Sequence, residues 1–181
     1  DTGLNGDLFC DCIKNEYKKR YLSESSLDSF QTKFSEDKVR IQFCKKFIDD
    51  FPNSQNIFVS GKSAVGKTFL AKLIAREVEK RGYETLYTTA FELFSELERT
   101  RFETNPNGTY EEVDLLIIDD LGLEAKSGFT IAALYHLINK RIEKNRKTIL
   151  CSPFSISQIE SEYSESLSSR IGREYFPIEL N

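Results

Sequence analysis

Two groups of residues carry the chemistry of this chain. The first is Gly61-Lys62-Ser63-Ala64-Val65-Gly66-Lys67-Thr68, spaced as G-x-x-x-x-G-K-T. Glycines at both ends let the backbone turn tightly without Cβ clashes, so successive N–H groups converge on an anion. Lys67 supplies a point charge for β- and γ-phosphates, and the Thr68 hydroxyl is a ligand for Mg2+. Phe69, next along, completes the candidate nucleotide-binding set. The spacing implies a bound nucleoside triphosphate, provided a strand precedes the loop and a helix follows it.

The second group is Asp119-Asp120, which closes the apolar run Leu115-Leu116-Ile117-Ile118. Buried strands rarely finish in two adjacent carboxylates unless a positive charge sits there. Beside a phosphate loop that charge is Mg2+, held by Asp119 directly or through water. Asp120 is then placed to polarise the attacking water. It is one methylene shorter than glutamate, so slow turnover is expected. Ser152, at the end of Thr148-Ile149-Leu150-Cys151, is a candidate hydrogen-bond donor to the γ-phosphate, with an ordinary loop role as the alternative.

The elements that must position these groups are legible as patterns. Residues 35–51 read as an amphipathic helix with Val39, Phe43, Phe47 and Phe51 on one face, stopped by Pro52. Asn56-Ile57-Phe58-Val59-Ser60 is the strand before the loop. Leu70, Leu73, Ile74 and Val78 outline the helix after it, ended by Gly82. Residues 84–88 form a second strand, and Phe91, Phe94, Leu97 and Phe102 a second covering helix. A turn-rich loop at 104–109 leads into a strand over 113–120. Residues 129–143 are helical with Ile131, Leu134, Tyr135, Ile138 and Ile142 inward, and 148–151 is a further strand. Short helices start at Ser155 and near Ser166, and a last strand runs over 175–178. Strands alternating with helices predict an α/β fold: a parallel sheet covered on both faces, with ligands at the carboxyl ends of the strands.

Length and charge bound the rest. The 181 residues suffice for one full core. A net charge of −4 argues against a strongly basic nucleic-acid scaffold. No apolar run is long enough to span a membrane and no signal peptide is visible, so no membrane partner is expected. Cys10, Cys12, Cys44 and Cys151 are not spaced as a secreted disulfide framework, which suggests the cytoplasm. The chain starts at Asp1 and contains no methionine, and is read as a fragment lacking N-terminal sequence.

With both motifs placed, the chain resembles the AAA+ ATPases, and among them the bacterial replicative helicase loaders of the DnaC/DnaI type. The stretches that carry the likeness are GKSAVGKTFLAKLIA, VDLLIIDDLG, ALYHLINKRIEKNRKTIL and SLSSRI. They divide the chain into an ATPase domain over 35–181 and an N-terminal remnant over 1–34. In that remnant DTGLNGDLFCDC is similar to the second half of a small zinc-binding module, with its first cysteine pair missing. Cys10 and Cys12 then ligate Zn2+ only where the missing pair is present, since two ligands cannot complete a tetrahedral site.

The resemblance further implies a phosphate-loop core with strand order 5-1-4-3-2 and no C-terminal helical lid. Its cofactors are ATP and Mg2+. Arg170 matches the arginine finger that reaches ATP bound by a neighbouring subunit, with Arg173 in reserve. Lys67, Asp120 and Arg170 are therefore the candidate catalytic residues of a composite ATPase site, hydrolysing poorly as a monomer. The implied partners are the replicative hexameric DNA helicase, single-stranded DNA touched near Arg99 and Arg101, and further copies of the chain. Pro153 departs from the family, which usually carries asparagine there, and puts γ-phosphate sensing in question.

Two alternatives stand beside the loader: an IstB-type transposition ATPase and a nucleotide-dependent adaptor with negligible hydrolysis. His136, mid-helix, reads as a surface or satisfied core residue, Cys44 and Cys151 as small buried side chains, and Lys18-Lys19-Arg20 as a solvated face.

Overall fold

The computed structural model describes residues 38–100 and 108–180. Cys10, Cys12, Lys18-Lys19-Arg20, Arg101 and Phe102 lie outside them, so the readings placed on those residues have no structural counterpart. The element order is α1 (Lys38–Asp50), β1 (Asn56–Gly61), α2 (Lys67–Lys80), β2 (Thr85–Thr89), α3 (Ala90–Thr100), α4 (Gly108–Glu112), β3 (Leu115–Asp119), α5 (Gly128–Glu143), β4 (Lys147–Ser152), α6 (Ile156–Glu162), α7 (Glu165–Glu174) and β5 (Tyr175–Leu180).

The five strands form one parallel sheet in the order β2-β3-β4-β1-β5. Read from the other edge this is the expected 5-1-4-3-2. Side chains alternate strictly between two cores. Ile57, Val59, Leu115, Ile117, Ile149, Cys151 and Ile178 pack under α1 and α2. Phe58, Leu116, Ile118, Leu150 and Tyr175 pack under α3, α5, α6 and α7. Both faces are buried, which is why the strands read as continuous apolar runs rather than alternating ones. From β1 the chain crosses to β2 at the far edge, leaving β4 and β3 to be filled later. The β1/β4 boundary is thus the point where the order reverses, and the crevice beyond the strand ends there is the expected ligand position.

Three expectations need correction. On α1 the buried residues are Ile41, Cys44, Phe47 and Ile48, with Phe51 just past the helix. Phe47 and Phe51 are buried as expected. Phe43 is half-buried at the margin of the same core, stacked on Phe176 of β5 with ring centroids 3.5 Å apart, so the inward face is centred nearer Cys44 and Ile48 than Phe43. On α3 Phe91 is 69% exposed, and Ala90, Leu93, Phe94 and Leu97 face the core. The start of this helix is fixed by Glu92, whose carboxylate accepts from Thr89 N and Thr89 Oγ1, and that leaves Phe91 outward. Finally, residues 108–112 form the short helix α4, whose first two residues fall within the loop expected over 104–109.

Candidate functional site

The phosphate loop begins on β1, whose last residue, Gly61, has φ +143°. A Cβ there would lie 2.1 Å from the Leu180 carbonyl oxygen on β5. Glycine is required twice over, by backbone conformation and by the close approach of the neighbouring strand. Gly66, at φ 104°, is the N-cap of α2 and gives no side-chain cap to it. With no side-chain cap, the start of α2, where Lys67 and Thr68 stand, is open to an anion, with the helix dipole favouring negative charge. Lys62, Ser63 and Ala64 are exposed, and Gly61, Val65 and Gly66 half-buried around them. Lys67 is buried and donates to the carbonyls of Gly61 and Lys62, both at 2.8 Å, which draws the loop around its ammonium.

Asp119 ends β3 beside this loop. It is 1% exposed, yet every oxygen is used. Thr68 Oγ1 donates to Oδ2 at 2.6 Å, Tyr87 Oη to the same oxygen at 2.8 Å, and Asp120 N to Oδ1 at 2.9 Å. Charge-assisted bonds of this kind are what hold a carboxylate inside a protein. Thr68 and Asp119, predicted as metal ligands from separate motifs, are thus in direct contact. Their donors are oxygens only, the chemistry Mg2+ selects, and Mg2+ completes its shell with water and phosphate oxygens. Among the described residues no group of three or more His, Cys, Asp or Glu is gathered to hold a metal by itself, so the shared ligation fits.

Asp120 follows in the left-handed region, φ 56°, which turns its carboxylate out of the strand into solvent. Partial burial and the neighbouring Asp119 raise its pKa, with Lys67 opposing. The carboxyl is therefore more basic than an ordinary aspartate in the absence of metal. Tyr87 was not foreseen as a site residue. Burial, then the charge of Asp119, pushes its phenol far above the usual range, so it is a permanent donor.

Ser152 lies at the correct edge, paired with Ser60. Its hydroxyl, however, donates to the Leu121 carbonyl at 2.6 Å and accepts from Phe154 N at 3.0 Å. In this conformation it ties the loop after β3 to the loop after β4. Cys151 beside it is wholly buried, its thiol pushed up by desolvation, with Sγ 3.9 Å from the Lys67 carbonyl.

Arg170 stands apart from these groups. It lies on α7, with Nη1 3.7 Å from Glu174. It also reaches Tyr135 on α5, whose phenol is drawn below its ordinary value by Asn139 and then by Arg170. Its Nε is buried without a hydrogen-bond partner. Arg99 is exposed at the end of α3, and His136 is exposed on α5.

The profile of the family described as IstB-like ATP binding protein matches residues 19–169. The chain belongs to that family. The match covers the phosphate loop, Asp119, Asp120 and Ser152, and stops one residue short of Arg170. The ATP-binding domain is also 25% identical over 136 residues to "Replicative helicase loader DnaC" of Escherichia coli (strain K12), covering 70% of this chain and 54% of that protein. The chain thus spans about half the length of the curated relatives it matches. Among solved structures, the crystal structure of the DnaC helicase loader aligns with a TM-score of 0.80 at 20% identity, over 90% of this chain and 99% of that one. The crystal structure of DnaI aligns with a TM-score of 0.69 at 26% identity, over 78% of this chain and 80% of that one. The fold is therefore the AAA+ phosphate-loop core. Among the described residues no helix is long and apolar enough to cross a membrane.

Proposed function

We propose that this domain is the ATPase part of a replicative helicase loader, binding ATP at the edge of the sheet where Lys67, Thr68 and Asp119 meet. The observation that carries the nucleotide reading is the contact of Thr68 with Asp119, 2.6 Å, beside an uncapped helix N-terminus. The loader reading is supported by the similarity to DnaC across 70% of the chain.

Each residue has a stated role. The N–H groups of the loop and the start of α2 bind the phosphates, and Lys67 turns its ammonium from the Gly61 and Lys62 carbonyls toward them. Thr68 and Asp119 would hold Mg2+, which when bound neutralises charge on the β- and γ-phosphates. Asp120, turned out of the strand next to Asp119, orients the attacking water and accepts its proton. Charge developing on the γ-phosphate calls for a compensating guanidinium. Arg170 of a neighbouring copy supplies it in trans. Arg99 and Arg101 contact single-stranded DNA in the assembled loader. Cys10 and Cys12 would ligate Zn2+ only where a further cysteine pair joins them.

The test is co-elution of the full-length protein with the replicative helicase of its host, with and without ATP and Mg2+, followed by light scattering. A defined complex is the expected result. No complex in either condition, with ATP binding intact, refutes the loader reading. The family match favours a second reading, a transposition ATPase acting on target DNA. In that case the helicase does not co-elute, and co-elution repeated with a transposase or with duplex DNA yields the complex instead.

A further inference from the structure

We infer that Tyr87 is a positioning residue for the metal half of the nucleotide site, setting the affinity for Mg2+ through Asp119. The inference rests on the reading of Lys67, Thr68 and Asp119 as a Mg·ATP site.

The placement follows from sheet register. β2 and β3 run parallel with Tyr87 opposite Ile117 and Thr89 opposite Asp119. Tyr87 and Asp119 therefore project from the same face, one pair apart along the strands, a diagonal spacing that a long side chain bridges. The phenol spans it and donates to Asp119 Oδ2 at 2.8 Å. The ring is not free to swing. Lys72, one turn past the phosphate loop on α2, places Nζ 4.5 Å from the ring centroid, so the phenol is held between α2 and the sheet.

Two hydroxyls now converge on one oxygen, that of Thr68 from α2 and that of Tyr87 from β2. Oδ1 accepts from Asp120 N. The carboxylate is thereby held through both oxygens, by donors from α2, from β2 and from the backbone just past β3. Had Thr68 alone bonded it, rotation about χ2 would follow any movement of the helix when nucleotide enters. Tyr87 anchors Asp119 to the sheet instead, so the carboxylate keeps its orientation while the loop adjusts. Outer partners that orient ligating carboxylates change metal affinity by about 10- to 100-fold when removed.

Tyr87→Phe removes one oxygen and keeps the ring in its packing. Tyr110 supplies the control. Its phenol also donates to a carboxylate, Glu96 Oε2 at 2.5 Å, with no part in the nucleotide site. Binding of a fluorescent ATP analogue is titrated against Mg2+ for the wild type, Tyr87→Phe, Tyr110→Phe and Lys67→Ala, and Mn2+ binding is followed by electron paramagnetic resonance. Tyr87→Phe should raise the half-saturating metal concentration about 10-fold, with nucleotide affinity in EDTA unchanged. Tyr110→Phe should lower the melting temperature and leave metal dependence alone. A wild-type metal dependence in Tyr87→Phe overturns the inference while the site stands. Equal losses with and without metal also overturn it, showing a purely structural role. If Lys67→Ala binds nucleotide like the wild type, the site reading itself fails and the inference falls with it.

Discussion

Arg141 offers the sharpest test of how this sheet is held. It is 0% exposed on α5, with no carboxylate among its hydrogen-bond acceptors. Nε donates to Thr148 Oγ1 at 2.9 Å, Nη1 to the carbonyls of Tyr110 at 2.6 Å and Val113 at 3.0 Å, and Nη2 to the Lys147 carbonyl at 2.5 Å. Each bond to a charged donor contributes about 1.5–3 kcal/mol, so these contribute about 6–12 kcal/mol together. Against them stands burial, which pulls the guanidinium from 12.5 to about 9 and so costs about 5 kcal/mol. Arg141→Met removes both contributions and leaves three carbonyls and a hydroxyl without their donor. The difference is a loss of about 1–7 kcal/mol, centred near 4. For a domain of this size that lowers Tm by about 8–16 °C. The chain has no tryptophan, so urea unfolding is followed by far-UV circular dichroism. Arg141→Lys, with one donor group instead of a fork, should fall between the two. An Arg141→Met protein within about 1 kcal/mol of wild type would refute this reasoning, since burial would then outweigh the bonds.

Three further outcomes are expected. Gly61→Ala places a Cβ 2.1 Å from the Leu180 carbonyl at φ +143°; strain of about 1–3 kcal/mol adds to displacement of β5, so both Tm and nucleotide affinity should drop, and a wild-type melting curve would contradict the geometry. Lys67→Ala and Arg170→Ala should each be nearly inactive as ATPases, yet their mixture should recover turnover, because each provides at a shared interface what the other lacks; no recovery on mixing excludes Arg170 as a trans-acting group. In a Cys10→Ser, Cys12→Ser background, Cys44 and Cys151 should resist iodoacetamide in the native state and react after denaturation, since both are buried and burial pushes the Cys44 thiol up to about 12; rapid native labelling would show that the core opens.

The strands and the nucleotide motifs were readable because their physical requirements are local. A parallel strand buried on both faces must be apolar along its length, as Ile57-Phe58-Val59 and Leu115-Leu116-Ile117-Ile118 are. The loop glycines answer to one turn and one neighbouring strand. Helix faces were less legible, because phenylalanine dominates a hydrophobic pattern wherever it stands. On α1 Cys44 is buried more deeply than Phe43, and on α3 Leu93 is buried while Phe91 is exposed. Least legible were Tyr87, Arg141 and the hydroxyl of Ser152. Their partners are distant in sequence: Tyr87 reaches 32 positions to Asp119, and Arg141 reaches 31 to the Tyr110 carbonyl. No periodicity marks an arginine whose acceptors are backbone carbonyls of separate segments.

Arg141 and Asp119 occupy opposite ends of the same two central strands. Arg141 binds the amino ends, through the Val113 carbonyl before β3 and through Lys147 and Thr148 at the start of β4. Asp119 closes the carboxyl end of β3, where it gathers hydroxyls from α2 and β2. A buried cation satisfies carbonyls at one edge, and a buried anion satisfies hydroxyls at the other. The difference in partners matters for function. Carbonyls at the amino edge belong to the fold and have no other ligand to serve, so that edge can be saturated by Arg141. Hydroxyls at the carboxyl edge are exchangeable: Thr68 can turn to a metal while Tyr87 keeps Asp119 in place. Stability and chemistry are therefore separable in this sheet. Arg141→Met should weaken folding without altering metal dependence of nucleotide binding in the folded fraction, and Tyr87→Phe should do the reverse.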